Sequence, residues 1–168
     1  MSFAKALERT LGFEGGLSDV AGDRGGRTHY GITFKTYDAY RDRKGLPRRP
    51  VDCIDDAEVE EIYLTDYWQP CRCDDLPERL ALAVFDMAVN SGPMNARITL
   101  QRAVRVRTDG VIGPVTLAAA KYAGEEAVLS FLEKRAAFLQ EVLYAHPEDV
   151  KFLEGWICRL LRQAWRPA

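Results

Sequence analysis

A chain of 168 residues, 47% apolar and 29% charged, is long enough to bury a core of its own, so one domain or two small lobes is expected. No run approaches the roughly eighteen consecutive apolar residues of a membrane span, and Glu8 interrupts the N-terminal stretch where a secretory signal needs its apolar centre. A net charge of −2, with no basic helix face interleaved with aromatics, argues against a nucleic-acid partner.

Residues 2–13 set Phe3, Leu7 and Leu11 at fourfold spacing behind Ser2 as N-cap, which predicts a helix with one apolar stripe, closed by Gly15-Gly16. From Leu17 to Ile32 no helical period survives, and the glycines at 22, 25, 26 and 31 predict turns or a short hairpin, a small irregular lobe near residues 15–33. Thr33 is placed to cap a helix over Phe34 to Lys44 that stops at Gly45, with Pro47 and Pro50 in the loop beyond. Asp55 and Glu58 have the spacing of a capping box heading a helix over 56–67, with Val59, Ile62 and Tyr63 inward. Pro77 suits a first helical turn, and Leu80 to Val89 is the most apolar segment, the expected central helix, ended by Asn90-Ser91-Gly92. A helix from Pro93 or Met94 to about Val104, a turn at Asp109-Gly110 and a short helix from Pro114 to Gly124 follow. The segment 125–144 carries Val128, Phe131, Leu132, Leu139 and Val142 on one face, and Phe152, Trp156, Leu160 and Leu161 mark a last helix. Seven or eight helices with almost no sheet make the fold class mainly α.

Charge is unevenly spread. Lys35, Arg41, Arg43, Lys44, Arg48 and Arg49 form a basic segment, Asp55 to Glu61 an acidic one, and Arg159, Arg162 and Arg166 a basic tail. These are solvated faces or, alternatively, a strip beside an anionic polymer. Cys53, Cys71, Cys73 and Cys158 lack metal-ligand spacing, so reduced and mostly buried thiols are expected, with a bridge from Cys53 to Cys71 or Cys73 open in an oxidising space.

The chemistry concentrates between Glu14 and Thr33. A carboxylate at a helix C-terminus, beside Phe13, sits where the dipole and an apolar neighbour disfavour its ionised form, which suits a proton donor to the leaving oxygen of a glycosidic bond. Its plain alternative is an exposed helix end. Asp23 supplies a second carboxylate across the lobe, to orient or deprotonate water, or else is a turn residue of Asp-Arg-Gly-Gly. His29, Tyr30 and Thr33 offer donors and a flat ring to a sugar, while Tyr30 also suits the lobe core and Thr33 an N-cap. Asp86, inside an apolar helix with Asn90 one turn later, needs hydrogen-bond partners; the pair either forms a network behind a cleft or lines it. No metal or organic cofactor is required by this set.

Glu14-Gly15-Gly16, the run Asp23-x-Gly25-Gly26-x-Thr28-x-Tyr30-Gly31-Ile32-Thr33, the central Asp86-x-Ala88-x-Asn90-Ser91-Gly92, and Leu100-Gln101 before Asp109-Gly110-x-Ile112-Gly113-Pro114-x-Thr116-Leu117 together resemble glycoside hydrolase family 108. Its members are N-acetylmuramidases, used as phage endolysins and by related bacterial export systems. The C-terminal half, with Gly155-Trp156-x-x-Arg159, is similar to the predicted peptidoglycan-binding region that accompanies the family. The resemblance implies a lysozyme-like helical fold and Glu14 as the essential acid. The spacing from Glu14 to Asp23 is also similar to that of phage-type lysozymes, which supports Asp23 as the second carboxylate. Those lysozymes have Thr six positions after the Asp, whereas His29 stands there here, so Thr28, His29 and Thr33 compete for a third role. Leu17 replaces the aromatic that many members carry after the glycines.

The resulting expectation is a catalytic region over 1–92, a peptidoglycan-binding-like region over 93–168 packed on it, and a cleft between the 14–33 lobe and the helical body. The reaction is hydrolysis of the β-1,4 bond between N-acetylmuramic acid and N-acetylglucosamine, with inversion preferred because a flexible lobe leaves room for water. The partner is the peptidoglycan glycan strand, the protein a monomer without stable membrane insertion. Synthesis in a bacterial cytoplasm without a signal peptide implies release to the wall through a holin lesion or a secretion system. A lytic transglycosylase and a non-catalytic wall-binding module are the alternatives.

Overall fold

The computed structural model describes the backbone of residues 2–14 and 28–164 and the side chains of 2–11 and 28–164. Among these the chain forms eight α-helices and one two-stranded antiparallel sheet, the mainly α architecture expected of a lysozyme-like fold. Two compact units divide between Pro70 and Cys71.

In the unit Ser2–Pro70, α1 spans Phe3–Glu14, and the Ser2 carbonyl accepts the Ala6 N–H at 3.2 Å. Its buried stripe is Ala6, Leu7 and Thr10, with Phe3 and Leu11 half-buried. A fourfold spacing drifts about 40° per step around an α-helix, so three such positions cannot share one narrow face. Phe3 instead meets the Trp68 ring edge-on at 5.5 Å. Strands β1 (Thr28–His29) and β2 (Ile32–Thr33) form a hairpin in the register Thr28 to Thr33 and His29 to Ile32. Helix α2 (Phe34–Arg43) starts at Thr33, whose Oγ1 accepts the Thr36 N–H at 3.2 Å, and ends before Gly45 at φ +67°. Helix α3 (Asp56–Ile62) opens with the expected capping box: Glu58 N–H to Asp55 Oδ1 at 3.0 Å and Asp55 N–H to Glu58 Oε2 at 3.3 Å.

Beyond Ile62 the α-helical pattern gives way to a π-helical turn, Tyr63–Trp68, which the periodicity does not announce. Its signature is the i+5 bond from Gln69 N–H to the Leu64 carbonyl at 2.9 Å. Tyr63 and Trp68 are both buried. An α-helix would set residues five apart about 140° from each other, and the wider turn brings them nearer to one side.

In the unit Cys71–Ala168, α4 (Glu78–Ser91) is central and packs on α5 (Pro93–Ala103) and α7 (Glu125–Ala145). It buries Leu80, Val84, Phe85 and Met87 along with the small residues between them. Pro77 caps α4 from outside its first turn, its carbonyl accepting Ala81 N–H at 2.8 Å, and Gly92, at φ +85°, ends α4 and admits Pro93 as the first residue of α5. Helix α6 (Pro114–Ala123) stops at Gly124, φ +54°. Val128, Phe131, Leu132 and Leu139 of α7 are buried as expected; Val142 is half-exposed.

Helix α8 (Leu153–Ala164) forms where the apolar residues mark a last helix, but fully buries none of them. Trp156 and Leu160 are half-buried, whereas Leu161 is 63% exposed. Cys71 and Cys73 are buried, Cys53 and Cys158 exposed, and all four are free. The Cys71 contact, reinforced by burial, drives the Cys73 thiol far above its usual range, which keeps it protonated and unreactive.

Candidate active site

The hairpin carrying three of the candidate residues turns through Tyr30 at φ +52° and Gly31 at φ +73°. A two-residue turn with both central residues at positive φ matches the right-handed twist of its strands, and glycine enters that region freely. Tyrosine does not; the left-handed conformation costs about 1–2 kcal/mol. Two contacts hold it there. Ile32 is 1% exposed and anchors β2, and the Tyr63 hydroxyl, presented by the π-helical turn, donates to the Tyr30 carbonyl at 2.6 Å.

His29 stacks on Tyr30 at 4.3 Å between ring centroids, 16° from parallel, so each of the two candidate binders covers one face of the other. The Nδ1 of His29 is buried without a hydrogen-bond partner among the described residues. Thr33 is spent locally: Oγ1 caps α2 and lies 3.1 Å from the Thr36 hydroxyl, which is the N-cap alternative read from its position. The hairpin thus brings His29 and Tyr30 together, while Thr33, paired across the strands with Thr28, belongs to the start of α2. Helix α1 ends with Glu14, one turn beyond Thr10, whose Oγ1 is buried and likewise unpartnered among the described residues. The side chain of Glu14, and Asp23 altogether, lie outside the described residues.

A buried charge network supports the hairpin through α2. Glu58 accepts from the Tyr37 hydroxyl at 2.6 Å, from Arg41 at 2.6 Å and from Arg49 at 2.6 Å, while Arg41 Nε donates to the Pro47 carbonyl at 2.5 Å. Burial pushes the Glu58 carboxyl upward, but these bonds outweigh it and hold the group below the ordinary carboxylate range. Burial, then the hydrogen bond to Glu61, pushes the Tyr40 phenol up to about 12. Three more members of the basic segment pair within the unit: Arg43 with Asp66 at 2.8 Å, Lys44 with Glu61, and Arg48 with Asp42 at 2.5 Å. Only Arg41 is buried; Arg43, Lys44 and Arg48 remain largely exposed, so most of the segment is a solvated face whose charges are locally paired. The basic and acidic runs largely neutralise each other, because the 44–55 connection folds α3 back beside α2.

Asp86 is 1% exposed, and both of its oxygens are engaged: Oδ2 by Arg135 of α7 at 2.7 Å, Oδ1 by Arg159 of α8 at 2.9 Å. This is the network alternative, with arginines where Asn90 was expected; Asn90 instead accepts from the neighbouring Ser91 hydroxyl at 3.2 Å. The interaction also explains why Asp86 and Arg159 occur in motifs far apart in sequence. Desolvation lowers the Arg135 pKa and Asp86 opposes that shift.

Asp109-Gly110-x-Ile112-Gly113 is likewise internally committed. Gln101, 1% exposed, donates to Asp109 Oδ1 at 2.8 Å and to the Val111 carbonyl at 3.0 Å, and accepts the Gly110 N–H at 2.8 Å. The Gln101 bond, joined by Val111 N–H, holds the Asp109 carboxyl below its usual range. Gly110 sits at φ +73°, and a Cβ there would stand 2.7 Å from Met94 Sδ. Sequence reasoning singled out this motif but missed Gln101 as the clamp, and it missed Tyr63, whose only signal was a polar-tipped aromatic at a core position. Among the described residues, no group of three or more metal-ligating side chains is present, and no helix is long and apolar enough to cross a membrane.

Two family models match the chain in order: "Glycosyl hydrolase 108" over residues 7–92 and "Predicted Peptidoglycan domain" over residues 95–161. Among solved structures, that of Brucella abortus SagA is similar at a TM-score of 0.83 and 33% identity, with 96% of this chain and 90% of that one covered. Among curated proteins none matches.

Proposed function

The chain belongs to the glycosyl hydrolase 108 family and continues into a predicted peptidoglycan domain, and from that premise we propose that it is an N-acetylmuramidase acting on the cell wall. It hydrolyses the β-1,4 bond between N-acetylmuramic acid and N-acetylglucosamine, in the manner of an endolysin. Residues 1–92 supply catalysis and 93–168 wall binding. Glu14 donates the proton to the leaving oxygen, Asp23 positions the attacking water, and the His29–Tyr30 surface takes a sugar ring. Asp86 holds a buried ion network within its own unit rather than contacting the sugar. The observation that carries the reading is the order and extent of the two family matches, a hydrolase followed directly by a peptidoglycan domain across most of the chain. The strained, externally held hairpin supports it, since backbone strain of this kind concentrates where side chains must be held in place.

Wild type and Glu14→Gln incubated with purified peptidoglycan, with products read by mass spectrometry, test the proposal. Reducing muramic ends released by wild type alone are expected. Anhydromuramic ends would make the protein a lytic transglycosylase, and wall binding by both proteins without release would make it a binding module. Inversion is expected in a product-anomer assay, and retention would overturn that part.

A further inference from the structure

The wall-binding motif that the sequence offers is used up in clamping its own turn, so contact with a ligand has to come from other side chains of the unit. A groove of about 390 Å³ opens where the end of α5 (Ala103, Arg105), the end of α6 (Tyr122) and the start of α7 (Glu126, Ser130) meet, within the size range of ligand sites. Three of these side chains have no internal task. Tyr122 is 96% exposed and makes no ring contact with any described residue. Arg105 and Glu126 form no ion pair or side-chain hydrogen bond with any described residue. Ser130, by contrast, is committed, donating to the Ala103 carbonyl at 3.0 Å.

Arg105 is the most telling of the three. It stands at φ +56° just past α5, with its N–H on the Arg102 carbonyl at 3.2 Å and the next N–H, of Val106, on the Gln101 carbonyl at 3.0 Å. These are the bonds of a helix-closing motif whose left-handed residue is usually glycine. Arginine there is strained, and the guanidinium gains nothing inside the fold in return. Glu126 has a reason of its own, since the first turn of a helix favours an acid, but it leaves a free carboxylate on the same groove.

We propose that this groove binds the stem peptide of peptidoglycan, a proposal that rests on the muramidase reading above. The glycan strand is uncharged apart from what hangs on its muramic residues. The stem peptide carries free carboxylates and, on its diamino acid, an ammonium. A groove with one unpaired cation, one unpaired anion and a bare aromatic face is complementary to such a zwitterionic chain: Arg105 takes a carboxylate, Glu126 the ammonium, and Tyr122 packs on the backbone or aliphatic portion.

The test is titration of the full-length protein with the tetrapeptide L-alanyl-D-isoglutamyl-meso-diaminopimelyl-D-alanine, and separately with chitotetraose, followed by amide chemical shifts and calorimetry. The tetrapeptide is expected to shift the amides of Ala103, Arg105, Tyr122 and Glu126. Arg105→Gly, which relieves the left-handed backbone and so does not threaten folding, should weaken binding about tenfold or more, with Arg105→Lys intermediate. Tyr122→Ala and Glu126→Gln should each weaken it severalfold. The proposal is overturned if the tetrapeptide does not bind, if its shifts fall elsewhere, if Arg105→Gly binds like wild type, or if chitotetraose alone perturbs these amides. Hydrolysis of glycan strands stripped of peptide by an amidase, measured on wild type, reports on the muramidase reading independently of the groove.

Discussion

Replacing Asp86 by asparagine keeps the volume of the side chain and removes its charge, so the variant isolates the buried ion network. Arg135 has 1% of its side chain exposed and Asp86 2%, so neither group can turn to water. In Asp86→Asn the Arg135 guanidinium keeps Gln163 Oε1 at 3.2 Å, loses its counter-charge and faces the like charge of Arg159. Breaking a buried pair from one side costs about 3–5 kcal/mol, a large part of the ~5–15 kcal/mol that holds a typical domain together. With a urea slope of roughly 2 kcal/mol per molar, the unfolding midpoint should fall by about 1.5–2.5 M. Arg159, 12% exposed, can relax toward solvent, so Arg159→Ala should lose only about 1.5–3 kcal/mol. Asp86→Leu combined with Arg135→Met removes both members and should recover most of the Asp86→Asn loss, since buried pairs are often replaceable by packed apolar groups. Urea melts of wild type and the three variants, followed by circular dichroism, give these values. A loss below about 1 kcal/mol in Asp86→Asn, or unchanged stability with a raised KM on peptidoglycan, would refute the structural role and return Asp86 to the substrate.

Tyr63→Phe removes the bond that holds Tyr30; kcat on peptidoglycan should fall about tenfold with a stability change near 1 kcal/mol, and an unchanged kcat would sink the positioning argument. Gln101→Ala opens the Asp109–Val111 turn, and hydrogen exchange at the Gly110 amide should accelerate about tenfold, the factor expected for losing one such bond. The folded pKa of Glu58 lies below its unfolded value of about 4.3, so its contribution is present above that pH and is lost as pH falls through the folded value. Acid titration of stability should therefore show a steeper decline below about pH 4 in wild type than in Glu58→Gln, and parallel curves would count against the network.

Local rules carried the element reading far. Thr33 capping α2, the Asp55–Glu58 box, the inward Val59, Ile62 and Tyr63, and the glycine stops at 45, 92 and 124 are all decided within a few residues of chain. For the candidate site, the same local reading found the hairpin and its aromatic tip but not what secures it. The π-helical turn and the Tyr63–Tyr30 bond join positions 33 residues apart, a distance over which sequence spacing carries no signal.

By itself the sequence determined the mainly α class, most of the helix boundaries and the concentration of acid, hydroxyl and aromatic residues between Glu14 and Thr33, because propensity, capping and periodicity act over one or two turns. Only the tertiary structure decided which charges are free. It assigned Glu58 to Arg41 and Arg49 and Asp86 to Arg135 and Arg159, and it left Arg105 and Glu126 without an ion-pair partner among the described residues. A buried charge must find its counter-charge in space, and nothing in the chain before folding says which one it will meet.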